Sequence, residues 1–576
     1  PGSATYGGFA EFGVINIVTK GARELRGISV GGTLGQMRGT YGRQNFYLYA
    51  GTRWKSKTIS FSMFEGRGQR SDRSAYGFYR NDSLFNLYGV GAYSSLAGNS
   101  AINPSYSNFS FTYKKFSLRS IGDFYEVTDV TSIDGNRRRN IKYGLQNNYT
   151  ELSYQFKVND RLTITPRLNT IWQYPSTRGI SEDDLLENLK NRIYRARLNL
   201  TANYDATHRT NFIGGAEVFK DQAQANTTGR LVVGSQDVSY VNVAAFGQGI
   251  FNLPFLNVTA GVRYDYNSSF GGAFVPRLGL TKKYTRFHFK FLLSGAFRAP
   301  SVGNVARAFN GTYTFNADTS QIFLDQRIRP ERTRVFETEV GYQLSSKAFV
   351  TANVYDITIR QPIVYSFYQD ELIRQKFGAE AGIPVYQNFN RTGTRGLELD
   401  FRLKDTWGSL NLNYSFYSVG AKPRITAYSV STFDRMPELR QEVNSRQVLG
   451  FANHKVNLNG TYYLRRGFSA NVTATFYGSR YGYDVRFTGP GPKDVDGQLV
   501  RKLPSALFNA FVRHETLLKG LQVGMGMYNL FNARFDFLQP YFGINAPLPG
   551  PSREFVLKVA YDFPFSNRKA KATSRE

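Results

Sequence analysis

The run Phe555-Val556-Leu557-Lys558-Val559-Ala560-Tyr561-Asp562-Phe563 decides the fold class. Side chains alternate across a β-strand, so Phe555, Leu557, Val559, Tyr561 and Phe563 share one face while Val556, Lys558, Ala560 and Asp562 share the other. Upstream, Tyr528-Asn529-Leu530-Phe531-Asn532 marks the end of an earlier strand, and Pro547-Leu548-Pro549-Gly550 belongs to an exposed connection. Together they read as the closing hairpin of a barrel in which every second residue meets something apolar.

Composition identifies that apolar medium as lipid. Aromatic residues make up 15% of the chain, with 47 Phe and 38 Tyr against 3 Trp, and Gly is abundant at 55 residues. The 576 residues could build several soluble domains on length alone. No stretch approaches the roughly 18 consecutive apolar residues of a membrane helix, and the mean hydropathy of −0.38 excludes a helical membrane protein. A transmembrane β-barrel needs neither, because only alternate residues of each roughly 10-residue segment face lipid. The strand at 256–266 has this form, with Leu256, Val258, Ala260, Val262, Tyr264 and Tyr266 outward and Asn257, Thr259, Arg263 and Asp265 inward.

Alternating segments recur along the chain, joined by connections that are short, then long, then short. Tight turns are expected at Trp54 to Lys57, Lys114-Lys115, Asn159-Asp160, near Asp205, and at Leu253-Pro254, Tyr284-Thr285, Ser345-Ser346, Asp405-Thr406, Arg465-Arg466 and Lys519. The rhythm predicts an all-β fold, a transmembrane antiparallel barrel of about 22 strands, the size at which such barrels enclose a plugged lumen. An even count returns both ends to the periplasmic side and puts the long loops, including those around 67–105 and 299–333, outside. Short helical signals occur in three long loops, at Ser181 to Leu189, Asp370 to Phe377 and Pro437 to Val443.

Four segments, in order along the chain, carry a family resemblance. Pro1 to Gly8 followed by Gly13-Val14-Ile15-Asn16-Ile17-Val18-Thr19-Lys20 resembles the end of the plug domain of TonB-dependent outer-membrane transporters. Phe297-Arg298-Ala299-Pro300-Ser301 and Arg329-Pro330-Glu331 resemble the motifs flanking a long loop in that family, and Asn529-Leu530-Phe531 with the closing strand resembles its C-terminal signature. The resemblance implies active uptake across the outer membrane of a bulky, scarce solute, with an iron–siderophore or other anionic chelate as cargo. It also implies coupling to the TonB complex through a plug.

The expected domains are a plug remnant at 1–22, a barrel at 23–563 and a basic tail at 564–576. Only the last part of a plug is present and no apolar leader precedes Pro1, so an upstream segment is expected. The barrel is shorter than that of the large glycan importers of the family. A second reading is a plugless barrel serving as a structural or interaction subunit of an outer-membrane complex.

Formal charge is +29, from 72 Lys and Arg against 43 Asp and Glu, which favours anionic ligands or lipopolysaccharide phosphates. Nucleic acid is disfavoured because the cations are spread through the strands instead of forming one patch. Candidate substrate-binding residues are Arg67, Arg70, Arg73, Tyr76, Arg307, Tyr313, Tyr368 and Arg391, because guanidinium groups pair bidentately with carboxylate or phosphate and aromatic faces hold flat groups. In the lumen, alternation that turns Phe297 to lipid turns Arg298 inward, with Glu337 as its first candidate partner.

No enzyme reading stands. Gly27-Ile28-Ser29-Val30-Gly31 has the G-x-S-x-G spacing but lies in a strand with no following helix. His208, His288, His454 and His514 sit singly, and Asp494-Val495-Asp496-Gly497 lacks the remaining ligands of a calcium loop. With no cysteine, thiol catalysis and Cys-ligated zinc are excluded, and no cofactor or metal is expected.

Overall fold

The computed structural model describes residues 7–8, 19, 21, 25, 27–73, 96–132, 138–178, 190–226, 237–306, 310–314, 321–325, 328–368, 383–419, 450–487, 495–538 and 547–564. Its principal sheet has 23 segments, of which Phe156–Lys157 continues Arg138–Tyr154 along the same neighbour, leaving 22 antiparallel strands. They begin at Gly27–Gln36 and end at Glu554–Pro564, and these two pair over their whole common length, from Gly27 opposite Pro564 to Gln36 opposite Phe555. The sheet is therefore a closed barrel with no free edge, which is what a sheet in lipid requires.

The alternation is borne out strand by strand. In Asn257–Asn267, Val262, Tyr264 and Tyr266 are exposed on the outer wall while Arg263, Asp265 and Asn267 are buried on the inner one. In the closing strand, Phe555, Leu557, Val559 and Phe563 are exposed and Val556 and Ala560 are buried. Large aromatics cluster by the short turns, including Trp54, Phe255, Tyr284, Tyr342, Trp407 and Tyr462, and a second set including Phe46, Trp172, Phe274, Phe336 and Phe555 lies toward the long loops. These are two girdles at the edges of an apolar band.

The short connections carry strained single residues, with Lys55, Lys114 and Arg466 at positive φ. All long loops, those within 67–105 and 299–333 among them, emerge at the other end. Four of them contain small hairpins of their own, the longer being Asn310–Thr314 with Gln321–Asp325, Ile363–Tyr368 with Ile383–Asn388, and Arg480–Phe487 with Val495–Lys502. The helical signals at Ser181 to Leu189, Asp370 to Phe377 and Pro437 to Val443 lie outside the described residues. One helical turn not expected from the sequence, Val302–Ala306, follows Ser301, whose Oγ accepts the Asn304 amide at 3.1 Å while Asn304 Oδ1 accepts the Ser301 amide at 2.9 Å. That reciprocal pair is a capping box with Asn in place of Glu.

Candidate functional site

The inner wall is a ladder of paired charges. Arg195 grips Asp221 through two bonds of 2.5 and 2.6 Å, and Arg263 grips Asp265 through bonds of 2.6 and 2.8 Å while reaching Glu217 at 3.0 Å. Arg197 donates to Asn169 and approaches Glu217, and Asn242 donates to Asp265 at 3.1 Å. Further round, Lys290 pairs with Glu337 at 2.6 Å and His288 contacts Glu339 at 3.0 Å. Each of these cations meets a carboxylate from its own strand or one close by, whereas Arg119 and Arg167 on the same wall are held by the neutral side chains of Asn108 and Thr201.

The described N-terminal residues lie against this wall. Gly7 has φ +72°, and a Cβ there would stand 2.9 Å from Arg263 Nη2; a Cβ on Gly8 would stand 2.8 Å from the Phe297 ring. Ala299 donates its amide to the Gly8 carbonyl at 2.8 Å, and Arg119 reaches Thr19 Oγ1 at 3.5 Å. Only backbone without side chains fits so closely to the wall. The expected strand at Val14 to Thr19 lies outside the described residues except for Thr19 itself.

Two expectations about the strand Phe287–Arg298 are corrected here. Arg298 does face an acidic group, but the group is Glu331, at 3.4 Å, and not Glu337. The register places Arg298 opposite Glu331 and Leu292 opposite Glu337, which leaves Glu337 to Lys290. Phe297 does not face lipid: it is 3% exposed and packs with Ala273, Val275 and Ala299. Pairing with the preceding strand stops at Arg277 opposite Ser294, so the end of the strand is released from the alternation and Phe297 turns to the Gly8 segment.

At the long-loop end, a hydrogen-bonded clasp spans the seam between the first and last strands. Asp72 accepts from the Gly39 amide at 3.0 Å, the Ser552 amide at 3.0 Å and Ser552 Oγ at 2.7 Å. Partial burial opposes ionisation of Asp72, but these donors outweigh it and hold its pKa below the ordinary aspartate value. Asn529 and Asn532, both at positive φ, complete the clasp: Asn529 Nδ2 donates to the carbonyls of Ala533 and Pro551, and Asn532 Oδ1 accepts from the Arg553 amide. Arg43 reaches Glu554 through bonds of 2.8 and 2.7 Å just inside.

The candidate substrate residues fall into three groups. Arg73 donates to Asn532 and Ala533 and so joins the clasp, while Arg70 donates to the Thr128 carbonyl at the end of the strand Phe116–Ser132. Arg67 has the strand parity of the exposed Ile59 and Phe61, and Arg391 that of the exposed Leu399, which puts both on the outer wall at the rim. Tyr313 and Tyr368 belong to loop hairpins, while Tyr76 and Arg307 lie outside the described residues. The clasp and the inner ion-pair ladder went unread in the sequence, although alternation around Arg263 and Asp265 had marked part of the ladder.

Ser29 of the G-x-S-x-G stretch lies within the first strand, hydrogen-bonded to Asp562 across the seam, and the strand runs on to Gln36 with no helix following it. His454 bonds the Tyr414 hydroxyl at 2.8 Å and His514 meets the Phe468 ring edge-on. Among the described residues no group of three His, Cys, Asp or Glu side chains is arranged to hold a metal ion.

A closed 22-strand barrel with a girdled outer wall and a charge-laddered lumen is a transmembrane barrel of the outer-membrane type. Residues 34–530 match the family of TonB dependent receptor-like β-barrels, and the chain belongs to it. The fold is shared with the ferric enterobactin receptor PfeA of Pseudomonas aeruginosa, solved in complex with BCV-L6, at a TM-score of 0.70 and 14% identity over 97% of this chain and 84% of that one. It is shared with the siderophore receptor PirA of Acinetobacter baumannii at 0.67 and 12% over 93% and 80%, and with the FrpB iron transporter of Neisseria meningitidis at 0.67 and 12% over 97% and 86%. No curated protein matches the sequence. The chain is an outer-membrane β-barrel of the TonB-dependent class.

Proposed function

We propose that the protein imports a bulky anionic solute, an iron–siderophore or other anionic chelate, in a TonB-dependent manner. The observation that carries this reading is the docking of Gly7 and Gly8 on Arg263, Phe297 and Ala299, a wall whose own charges are already paired. Where Gly7 and Gly8 meet the wall the described contacts are a backbone hydrogen bond and close glycine packing, which part without stranding a buried charge. Capture falls to the long loops, where Arg70, Arg73, Tyr76, Arg307, Tyr313 and Tyr368 supply cations and rings, while Arg67 and Arg391 stand apart on the outer wall. The +29 charge favours anions in a way that salt weakens.

Uptake of radioiron presented on a panel of siderophores tests the proposal, in cells expressing the native full-length protein with and without a functional TonB complex. TonB-dependent uptake of at least one chelate is expected. Uptake of none, with the barrel correctly assembled, overturns the cargo assignment and favours the structural-subunit reading.

A further inference from the structure

The outer wall carries a block of arginines that neither the lumen nor the mouth uses. Arg332, Arg360 and Arg391 stand directly opposite one another on three adjacent strands, Glu331–Gln343, Ala348–Arg360 and Arg391–Asp405. Their parity is that of Phe336, Val340, Tyr342, Val354 and Leu399, all exposed, so these guanidiniums project from the lipid-facing side. The next row toward the membrane adds Arg334, opposite Thr358, and the row below it places Arg395 beside Asp356 at 3.7 Å. Arg329 joins from the loop above: with Arg332, Arg360, Gln361 and Asn390 it lines a recess of about 560 Å³.

Like charges directly opposite on neighbouring strands repel, since their Cβ atoms are only about 5 Å apart. Among the described residues, Arg329, Arg332, Arg334, Arg360 and Arg391 have no carboxylate within ion-pair distance. On the opposite side of the barrel at similar height, outward-facing carboxylates stand among the rim residues, Glu65 two residues from Arg67 on its own strand and Glu126 opposite Asn103. A standing row of unbalanced guanidiniums marks a site for an external anion.

Height on the wall identifies the anion. On a strand tilted about 40° each residue climbs roughly 2.5 Å, so Arg332, ten residues beyond the Tyr342 ring of the lower girdle, stands about 25 Å above it, at the upper edge of an apolar band about 25 Å tall. The row of Arg332, Arg360 and Arg391 therefore stands where the headgroups of the outer leaflet begin, with Arg334 about one step below it. Guanidinium groups bind phosphate oxygens in bidentate fashion, and the same ligand's acyl chains would lie along the wall below, against Val340, Val354 and Leu399. We propose that this row is a binding site for the phosphorylated headgroup of an outer-leaflet glycolipid, holding one such lipid at a fixed position on the barrel. It does not depend on the identity of the imported solute.

The test uses the purified full-length protein in detergent with a phosphorylated glycolipid, lipid A, and its dephosphorylated counterpart, with retention read by native mass spectrometry. The wild type is expected to retain the phosphorylated form, and R332Q/R360Q/R391Q to bind it at least tenfold more weakly, with the dephosphorylated form weak for both. Where the triple variant assembles poorly, R360Q alone and a salt titration of the wild type serve instead, and binding falls in each. Equal retention of the dephosphorylated lipid, or unchanged retention by an assembled triple variant, overturns the proposal. Displacement of the lipid by millimolar inorganic phosphate reduces the site to one for free phosphate and overturns the lipid assignment.

Discussion

Arg263 shows how this lumen tolerates charge. Its side chain is 1% exposed, yet two carboxylates meet it, Asp265 through two bonds and Glu217 through one. Asp265→Ala leaves a buried guanidinium half-paired and is expected to destabilise the barrel by about 3 kcal/mol. Changing Arg263 and Asp265 together, as in Arg263→Met with Asp265→Leu, leaves Glu217 its contacts with Arg197 and Asn199 and is expected to lose less than the single change. Urea midpoints of the detergent-solubilised barrel measure both, and a double variant weaker than the single one contradicts the account. Asn529 makes a second test: its φ of +50° and its bonds to Ala533 and Pro551 serve different needs. Asn529→Gly keeps the backbone freedom and loses the bonds, whereas Asn529→Ala loses both and is expected to be worse by about 1 kcal/mol in the same assay.

At the level of elements, strand faces were legible in the sequence and strand neighbours were not. The period of two sorted Arg263 and Asp265 inward and Tyr264 and Tyr266 outward because that assignment needs only local order. The partner of Arg298 needed the register, which depends on where a hairpin pair starts, and Glu331 and Glu337 have the same parity. Phe297 escaped for a different reason, since the sheet releases its strand end to pack on Gly8, a tertiary contact that no periodicity encodes. The clasp was hidden because its members, Asp72, Asn529, Ser552 and Gly39, are scattered over most of the chain. Asp72 links three loops there, and its folded pKa lies below the unfolded value near 3.9. Its contribution is therefore complete above about pH 4 and lost as pH falls through the depressed folded value. Hydrogen exchange of the Gly39 and Ser552 amides, followed from pH 6 to pH 3, should rise beyond its intrinsic pH dependence at the acid end in the wild type. Asp72→Asn should show raised exchange throughout and no such step.

For the whole molecule, closure rests on the pairing of Gly27–Gln36 with Glu554–Pro564, reinforced by Ser29 to Asp562 and by the clasp above. Deleting residues 554–564 removes one strand's worth of contacts, yet the expected outcome is loss of the entire barrel. Wild type should migrate in gels as a compact, heat-modifiable species resistant to protease, and the deletion should show neither property; a compact, resistant deletion product would contradict closure as the source of stability. The seam also has a meaning in time. Because its two halves stand at opposite ends of the described barrel, the ring stays open until nearly the last codon of that region has been read, so a premature stop a dozen codons early is as damaging as one halfway. A sheet that lacks either half has two bare margins, the kind of edge that pairs with a neighbouring chain.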